Sequence, residues 1–199
     1  MGLLETVQEA NATPGTIIAA KSGIIWGGTL VILVHSLLNL CALTAMLSVL
    51  QTFNRMLSYL YFSAGIASTI LLAAGGILLL LPLSVSETMT TSDRDSTLLF
   101  QALLQYCTSG NFYSYQLGMT IWGLGGLVLC YLLQRSKLVP GYLPVWGYIG
   151  YPIFIAGTLL ELSGYPFGLC FSIPGGLFEI GLSIWLIAKG FRTGKVMHS

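Results

Sequence analysis

Charge is what this chain has least of. Of its 199 residues, 8 are Lys or Arg and 7 are Asp or Glu, and charged side chains make up 8%, where soluble globular chains carry about 25%. A water-facing surface wants roughly a quarter to a third of its positions charged, so these few groups cannot cover a soluble protein of this length. The basic footprint of a nucleic-acid binder is missing too. Cysteine is sparse: Cys41, Cys107, Cys130 and Cys170 are too few for a secreted disulfide scaffold and lack the CxxC spacing of a zinc or iron–sulfur site. What is abundant is apolar. Hydrophobic residues make up 55% of the chain and mean hydropathy is +0.82, the profile of a multi-pass membrane protein.

A helix crosses the hydrocarbon core with about 20 mostly apolar residues, and five runs qualify: Gly23–Leu50, Met56–Leu81, Phe112–Leu133, Tyr142–Leu162 and Leu169–Ala188. The first has an earlier start signal at Thr13-Pro14, since proline suits a first helical turn. Pro166 and Pro174 interrupt the entry to the fifth, which leaves open a short re-entrant piece before a helix from Pro174. Residues 1–22 read as an external tail; without a basic n-region, a short apolar core and an Ala-x-Ala site they are no cleaved signal peptide. Residues 23–199 form the bundle, with one sizeable external segment at 84–111. There Asp95 or Ser96 caps a short helix through Tyr106, whose Leu98, Leu99, Ala102, Leu103 and Tyr106 share an apolar face. That helix either lies on the outer membrane surface or packs over the end of the bundle. The predicted fold is an all-α transmembrane helical bundle of about five spans plus this short external amphipathic helix.

Aromatic clusters mark the headgroup zone: Tyr59, Tyr61 and Phe62; Phe112, Tyr113 and Tyr115; Tyr142, Trp146 and Tyr148. They are depth markers rather than a cofactor box.

Charges inside a membrane span are costly, about 2.5–3.5 kcal/mol on insertion scales, and are functional suspects by default. Glu179 precedes Lys189 by ten residues, which at 1.5 Å per residue places it roughly 15 Å deep. His35 lies near the centre of the first span with Asn39 one turn later on the same face. Similar depth predicts a Glu179–His35 contact with Asn39 as a second partner. This is either a proton-accepting or ligand-holding centre, or a protonated carboxyl that merely fastens helices. Glu161, followed by Ser163 and Gly164, reads as interfacial.

His35 offers one conceivable axial haem or pigment ligand, but a lone membrane histidine fits hydrogen bonding better, and no cofactor or metal is expected. Cys107 and Cys170 fall on the predicted outer side, where a disulfide is permitted. Glycines number 24. Gly23-x-x-x-Gly27 fits the small-residue packing pattern, Gly65, Thr69 and Ala73 form a four-residue ladder, and Gly175 and Gly176 thin the fifth span. Small residues let backbones approach where packing replaces the hydrophobic drive.

The last third carries a resemblance. Leu132-Leu133-Gln134-Arg135-Ser136-Lys137-Leu138-Val139-Pro140-Gly141-Tyr142-Leu143 is similar to a basic LLxRSxLxPxxL connection. Ile173-Pro174-Gly175-Gly176-Leu177-Phe178-Glu179, followed by Trp185-Leu186-Ile187-Ala188-Lys189-Gly190-Phe191, is similar to a closing P…E…WLxxKGF helix. Together they resemble a family of bacterial multi-pass membrane proteins catalogued as a domain of unknown function. The resemblance implies a membrane fold and a bacterial inner-membrane address, and no activity. Similar proteins have one more N-terminal span, and an Arg and a Glu early in the second span where this chain has Ala64-Gly65 and Ala67-Ser68. If that Arg holds the closing-helix carboxylate in the family, Glu179 lacks it here.

Two function classes follow. One is a non-catalytic accessory or structural subunit that packs against lipid and other membrane proteins; the other is a small-solute or proton carrier or channel using Glu179, His35 and Asn39. No nucleophile–base or metal set marks an enzyme. Arg55, Arg135, Lys137, Lys189, Arg192 and Lys195 fall on one side of the membrane with no acidic residue, whereas Lys21 and Arg94 share the other with five acidic ones. The positive-inside rule then puts the C-terminus in the cytoplasm and the N-terminus outside. A reporter fused after Ser199 is expected to be active only in the cytoplasm; activity only outside the cell would reverse the topology.

Overall fold

Lipid offers backbone N–H and C=O groups no hydrogen-bond partners, so a chain this apolar must satisfy them within helices. A computed structural model describes residues 14–86, 94–165 and 168–191, and among these the secondary structure is helical. The helices are α1 (Pro14–Leu50), α2 (Arg55–Ser86), α3 (Arg94–Ser136), α4 (Tyr142–Leu162) and α5 (Gly168–Lys189). All five contain a stretch long and apolar enough to cross a membrane. α1 begins at the Pro14 start signal, nine residues ahead of Gly23; the rest of the expected tail, residues 1–13, lies outside the described residues. α5 runs unbroken from Gly168 through Pro174, so the expected break at Pro174 is not there; Pro166 lies outside the described residues.

The segment before the third span differs from expectation. The separate helix over 95–106 is instead the opening of α3, continuous for 43 residues from Arg94 to Ser136. The polar stretch Thr108-Ser109-Gly110-Asn111 resembles a loop in sequence, yet it stays helical. Thr108 Oγ1 donates back to the Leu104 carbonyl at 2.9 Å, and a Cβ on Gly110 would meet Leu78 of α2 at 2.8 Å. The stripe that packs inward is Phe100, Leu104 and Cys107, while Leu98, Leu99 and Tyr106 of the expected apolar face are exposed.

The helices divide into two compact units. The first contains the described residues up to Leu37 together with Ile70–Tyr115. Its core is Leu83, Phe100 and Leu104, with Ile25 and Leu80 against them. Ser114 Oγ donates to the Leu71 carbonyl at 2.6 Å, tying α3 to α2.

The second unit contains Leu38–Thr69 and the chain from Gln116 onward. Its core includes Leu43, Tyr61, Leu133, Leu143, Tyr151 and Phe178; Tyr61, read as a depth marker, is therefore a core residue. At the α1–α2 turn, Asn54 Oδ1 accepts the Leu57 N–H at 3.0 Å, a side-chain cap for the start of α2. The α3–α4 turn passes through Lys137 at φ 56°, a left-handed helix ending, and then buries Leu138 and Val139. After α4, Gly164 at φ 92° supplies a conformation that costs a residue with a side chain dearly. Of the four cysteines, Cys107 and Cys130 are buried within their units, whereas Cys41 and Cys170 are exposed.

Close helix approach in this unit rests on missing side chains. A Cβ on Gly126 of α3 would overlap the Tyr151 ring of α4, and a Cβ on Gly150 of α4 would meet the Gly175 Cα and the Pro174 carbonyl of α5 at 3.0 Å. Overpacking of this kind costs about 1–3 kcal/mol. Gly126→Ala is expected to lower unfolding stability in mild detergent by that order. Gly176→Ala, where no described atom lies within 4 Å of the new Cβ, is expected to change it little; equal effects of the two would refute the packing argument.

Candidate functional site

The second unit gathers its polar groups where α3, α4 and α5 meet. Glu179 stands eleven residues after Gly168 and ten before Lys189, at the middle of α5. Its Oε1 accepts the Trp122 Nε1–H of α3 at 2.6 Å and the Tyr151 hydroxyl of α4 at 3.1 Å. One carboxyl oxygen thus joins three helices. Tyr151 is held in place by its surroundings: its ring stacks edge-on against Phe178, with centroids 5.5 Å apart at 73°, and Gly126 leaves the space it fills. Phe178 precedes Glu179 in sequence, so adjacent residues of α5 hold the same tyrosine by its ring and by its hydroxyl.

A second polar layer lies further along α3 and α4. Gln116 Nε2 donates to Glu161 Oε2, and Glu161 Oε1 accepts the backbone N–H of Gly168, the first residue of α5, at 3.0 Å. A carboxylate at a helix N-terminus is favoured by the unpaired N–H groups and the helix dipole there. Thr120 and Thr158 pair their hydroxyls at 2.9 Å. The spacing explains the layer: Gln116 and Thr120 are four apart on α3, and Thr158 and Glu161 three apart on α4, so each pair shares a face. Glu161, expected at the interface, is half-buried and anchors the α4–α5 turn to α3.

Asn39, expected as a second partner of Glu179, bonds elsewhere within the second unit. Asn39 Nδ2 donates to Thr69 Oγ1 at 2.8 Å, and Thr69 donates in turn to the Gly65 carbonyl at 2.8 Å. Asn39 therefore fastens α1 to α2 at the small-residue ladder. His35 belongs to the first unit, with its side chain exposed. Of the glycines named for helix packing, Gly65 faces the Leu43 side chain and Gly175 faces Phe154 and Gly150, whereas Gly23, Gly27 and Gly176 have no described atom within 4 Å of a Cβ position. Among the described residues no group of three or more His, Cys, Asp or Glu comes together to hold a metal ion. Trp122 and Tyr151 went unnamed in the sequence reading. The available signal was their polar tips, since a buried indole N–H or phenol needs a partner, and Glu179 is the mid-span acceptor.

A family model described as "Domain of unknown function (DUF4386)" matches residues 2–190. No curated protein and no solved structure matches the chain.

The hydrogen-bond pattern separates two substitutions of one residue. Glu179→Gln keeps a carbonyl oxygen for both donors and is expected to cost less than about 1 kcal/mol. Glu179→Leu strands the indole N–H and the phenol, a penalty of about 1–3 kcal/mol for each buried group left unsatisfied. Unfolding titrations of the two variants in detergent check this, and equal stability losses would show that the donors do not depend on Glu179.

Proposed function

The chain belongs to the DUF4386 family, a domain of unknown function, and from its geometry we propose that it is a non-catalytic membrane subunit, an accessory or structural bundle that packs against other membrane proteins. One observation carries this reading: the first half of α1 is left uncovered. Trp26, Leu30, Val31, Val34 and Leu37 are exposed, and Gly23, Gly27 and Gly28 have open space above them. Small residues flanked by large apolar ones are the pattern along which membrane helices associate. The polar groups of the spans support the same reading, because they are engaged in fastening. Thr29 and Ser36 bond their own helix, Asn39 bonds Thr69, and the carboxyl groups of Glu161 and Glu179 bond α3. The bundle sits in a bacterial inner membrane with its C-terminus in the cytoplasm, needs lipid and neighbouring subunits as partners, and binds no nucleic acid.

A second reading, a small-solute or proton carrier, is favoured by one specific feature: Glu179 at mid-span is only half-buried, although transporter sites commonly pair with repeated broken helices that this sequence does not repeat.

Copurification from membranes in mild detergent separates the two. The subunit reading predicts a stoichiometric membrane-protein partner whose recovery falls with Gly27→Leu while the bundle stays folded. A chain that purifies alone and moves solute in liposomes, with transport lost in Glu179→Gln, would overturn it in favour of the carrier.

A further inference from the structure

The cations of the second unit collect at one end. Arg55 opens α2, Arg135 lies in the last turn of α3, Lys137 follows it and Lys189 closes α5, and all four are exposed. The acidic residues described in this unit are Glu161, at the opposite end of α4, and Glu179, in the middle of α5. Among the described residues this end is therefore positive, with no carboxylate set against it.

Two of the cations are held in the same way. The guanidinium carbon of Arg55 lies 5.8 Å from the centroid of the Tyr59 ring, and that of Arg135 lies 5.8 Å from the centroid of Tyr131, both within reach of cation–π attraction. Arg135 Nε also donates to the Tyr131 hydroxyl at 3.3 Å. Arginine comes four residues before its tyrosine on α2 and four after it on α3. As consecutive spans these helices run in opposite directions, so both arginines stand on the same side of their rings.

The two pairs also share a depth. A Cβ on Gly125 of α3 would meet the Ala64 Cβ of α2 at 3.0 Å, which sets the helices level there. Arg55 lies nine residues before Ala64 and Arg135 ten after Gly125, so at 1.5 Å per residue both stand about 14–15 Å from that contact. Trp122 bonds Glu179 at the middle of α5. Counted from Trp122 along α3, Tyr131 lies about 14 Å and Arg135 about 20 Å towards the basic end. The hydrocarbon core ends about 15 Å from the midplane and the headgroup region about 20–22 Å from it. The tyrosine thus stands at the edge of the hydrocarbon and the arginine at the level of lipid phosphates.

Helix ends do not account for this arrangement. The dipole favours a cation at the C-terminal end of α3, yet Arg55 occupies the first residue of α2, where the dipole disfavours one. Stacking on tyrosine engages the face of a guanidinium and leaves N–H groups at its edge, a planar fork that fits two oxygens of a phosphate. The neighbouring surface is apolar: Met56, beside Arg55, and Leu60, beside Tyr59, are both exposed. That suits a phosphate carried on acyl chains better than a soluble ion.

We propose that the Arg55–Tyr59 and Arg135–Tyr131 pairs, with Lys137, bind the headgroup phosphates of anionic phospholipids in the leaflet at this end of the second unit. The assignment goes beyond both functional readings and rests on neither; it requires only that α2 and α3 cross lipid. Each tyrosine positions its arginine, and each arginine supplies the charge and the donors.

The test titrates the full-length protein, in mild detergent, with phosphatidylglycerol or phosphatidylcholine and counts bound lipids by native mass spectrometry. Both lipids carry a phosphate, but only phosphatidylglycerol carries net negative charge. Phosphatidylglycerol is expected to bind at least about fivefold more tightly, the worth of one basic residue at a membrane surface, and the preference is expected to shrink as salt is raised. Arg55→Gln and Arg135→Gln are each expected to weaken phosphatidylglycerol binding by about that factor and to leave phosphatidylcholine binding unchanged. Equal binding of the two lipids by the unmutated protein would overturn the proposal, whether or not the variants fold. So would a preference that survives replacement of Arg55, Arg135 and Lys137 together. Inorganic phosphate is the competing probe: failure to displace phosphatidylglycerol at equal concentration supports a lipid site, and displacement would assign a soluble anion and overturn it.

Discussion

The contact between one oxygen of Glu179 and the Trp122 indole and Tyr151 hydroxyl governs how the second unit is built. In hydrocarbon there is no water to replace a lost partner, so each of the three polar groups must find its complement inside the protein. They come from α5, α3 and α4, and the requirement fixes the rotation of each helix about its axis as well as their separation. Apolar packing alone would tolerate small rotations, because a leucine in lipid is about as well off as a leucine against a leucine.

Glycine supplies the separation that the hydrogen bonds demand. Gly126 admits the ring of Tyr151, and the Gly150–Gly175 approach brings α4 and α5 backbones nearly into contact. The Phe178 ring then braces Tyr151 edge-on from the residue next to Glu179. The second polar layer repeats the device with different groups: Gln116 reaches Glu161, and Glu161 receives the first N–H of α5, so the turn between α4 and α5 is fixed to α3 by the same carboxylate. In both layers α3 supplies a donor that can bind a carboxyl group without needing its charge.

Most of the fold was legible because hydropathy reports membrane spans directly: the boundaries at Leu50, Tyr142 and Leu162 coincide with helix ends. The joining of residues 94–111 to the third span was not legible. Thr108, Ser109, Gly110 and Asn111 look like a loop to any reading of propensity, and only their packing against α2, at Gly75 and Leu78, shows why a helix tolerates them. Glu179 was legible from its distance to Lys189. Its described partners were not, because Trp122 and Tyr151 lie 57 and 28 residues away and no periodicity links them to it. Asn39 was matched to Glu179 by depth alone, and depth does not distinguish the faces of a helix; its amide goes to Thr69 of the adjacent α2.

The most direct measurement is a double-mutant cycle between Trp122 and Glu179, with unfolding free energies taken for the unmutated protein, Trp122→Phe, Glu179→Met and the pair, all in the same lipid-like medium. A hydrogen bond that holds α3 to α5 predicts a coupling energy near the measured range for membrane interhelix bonds, about 0.6–1.7 kcal/mol. Strictly additive losses, with no coupling between the two positions, would contradict the account.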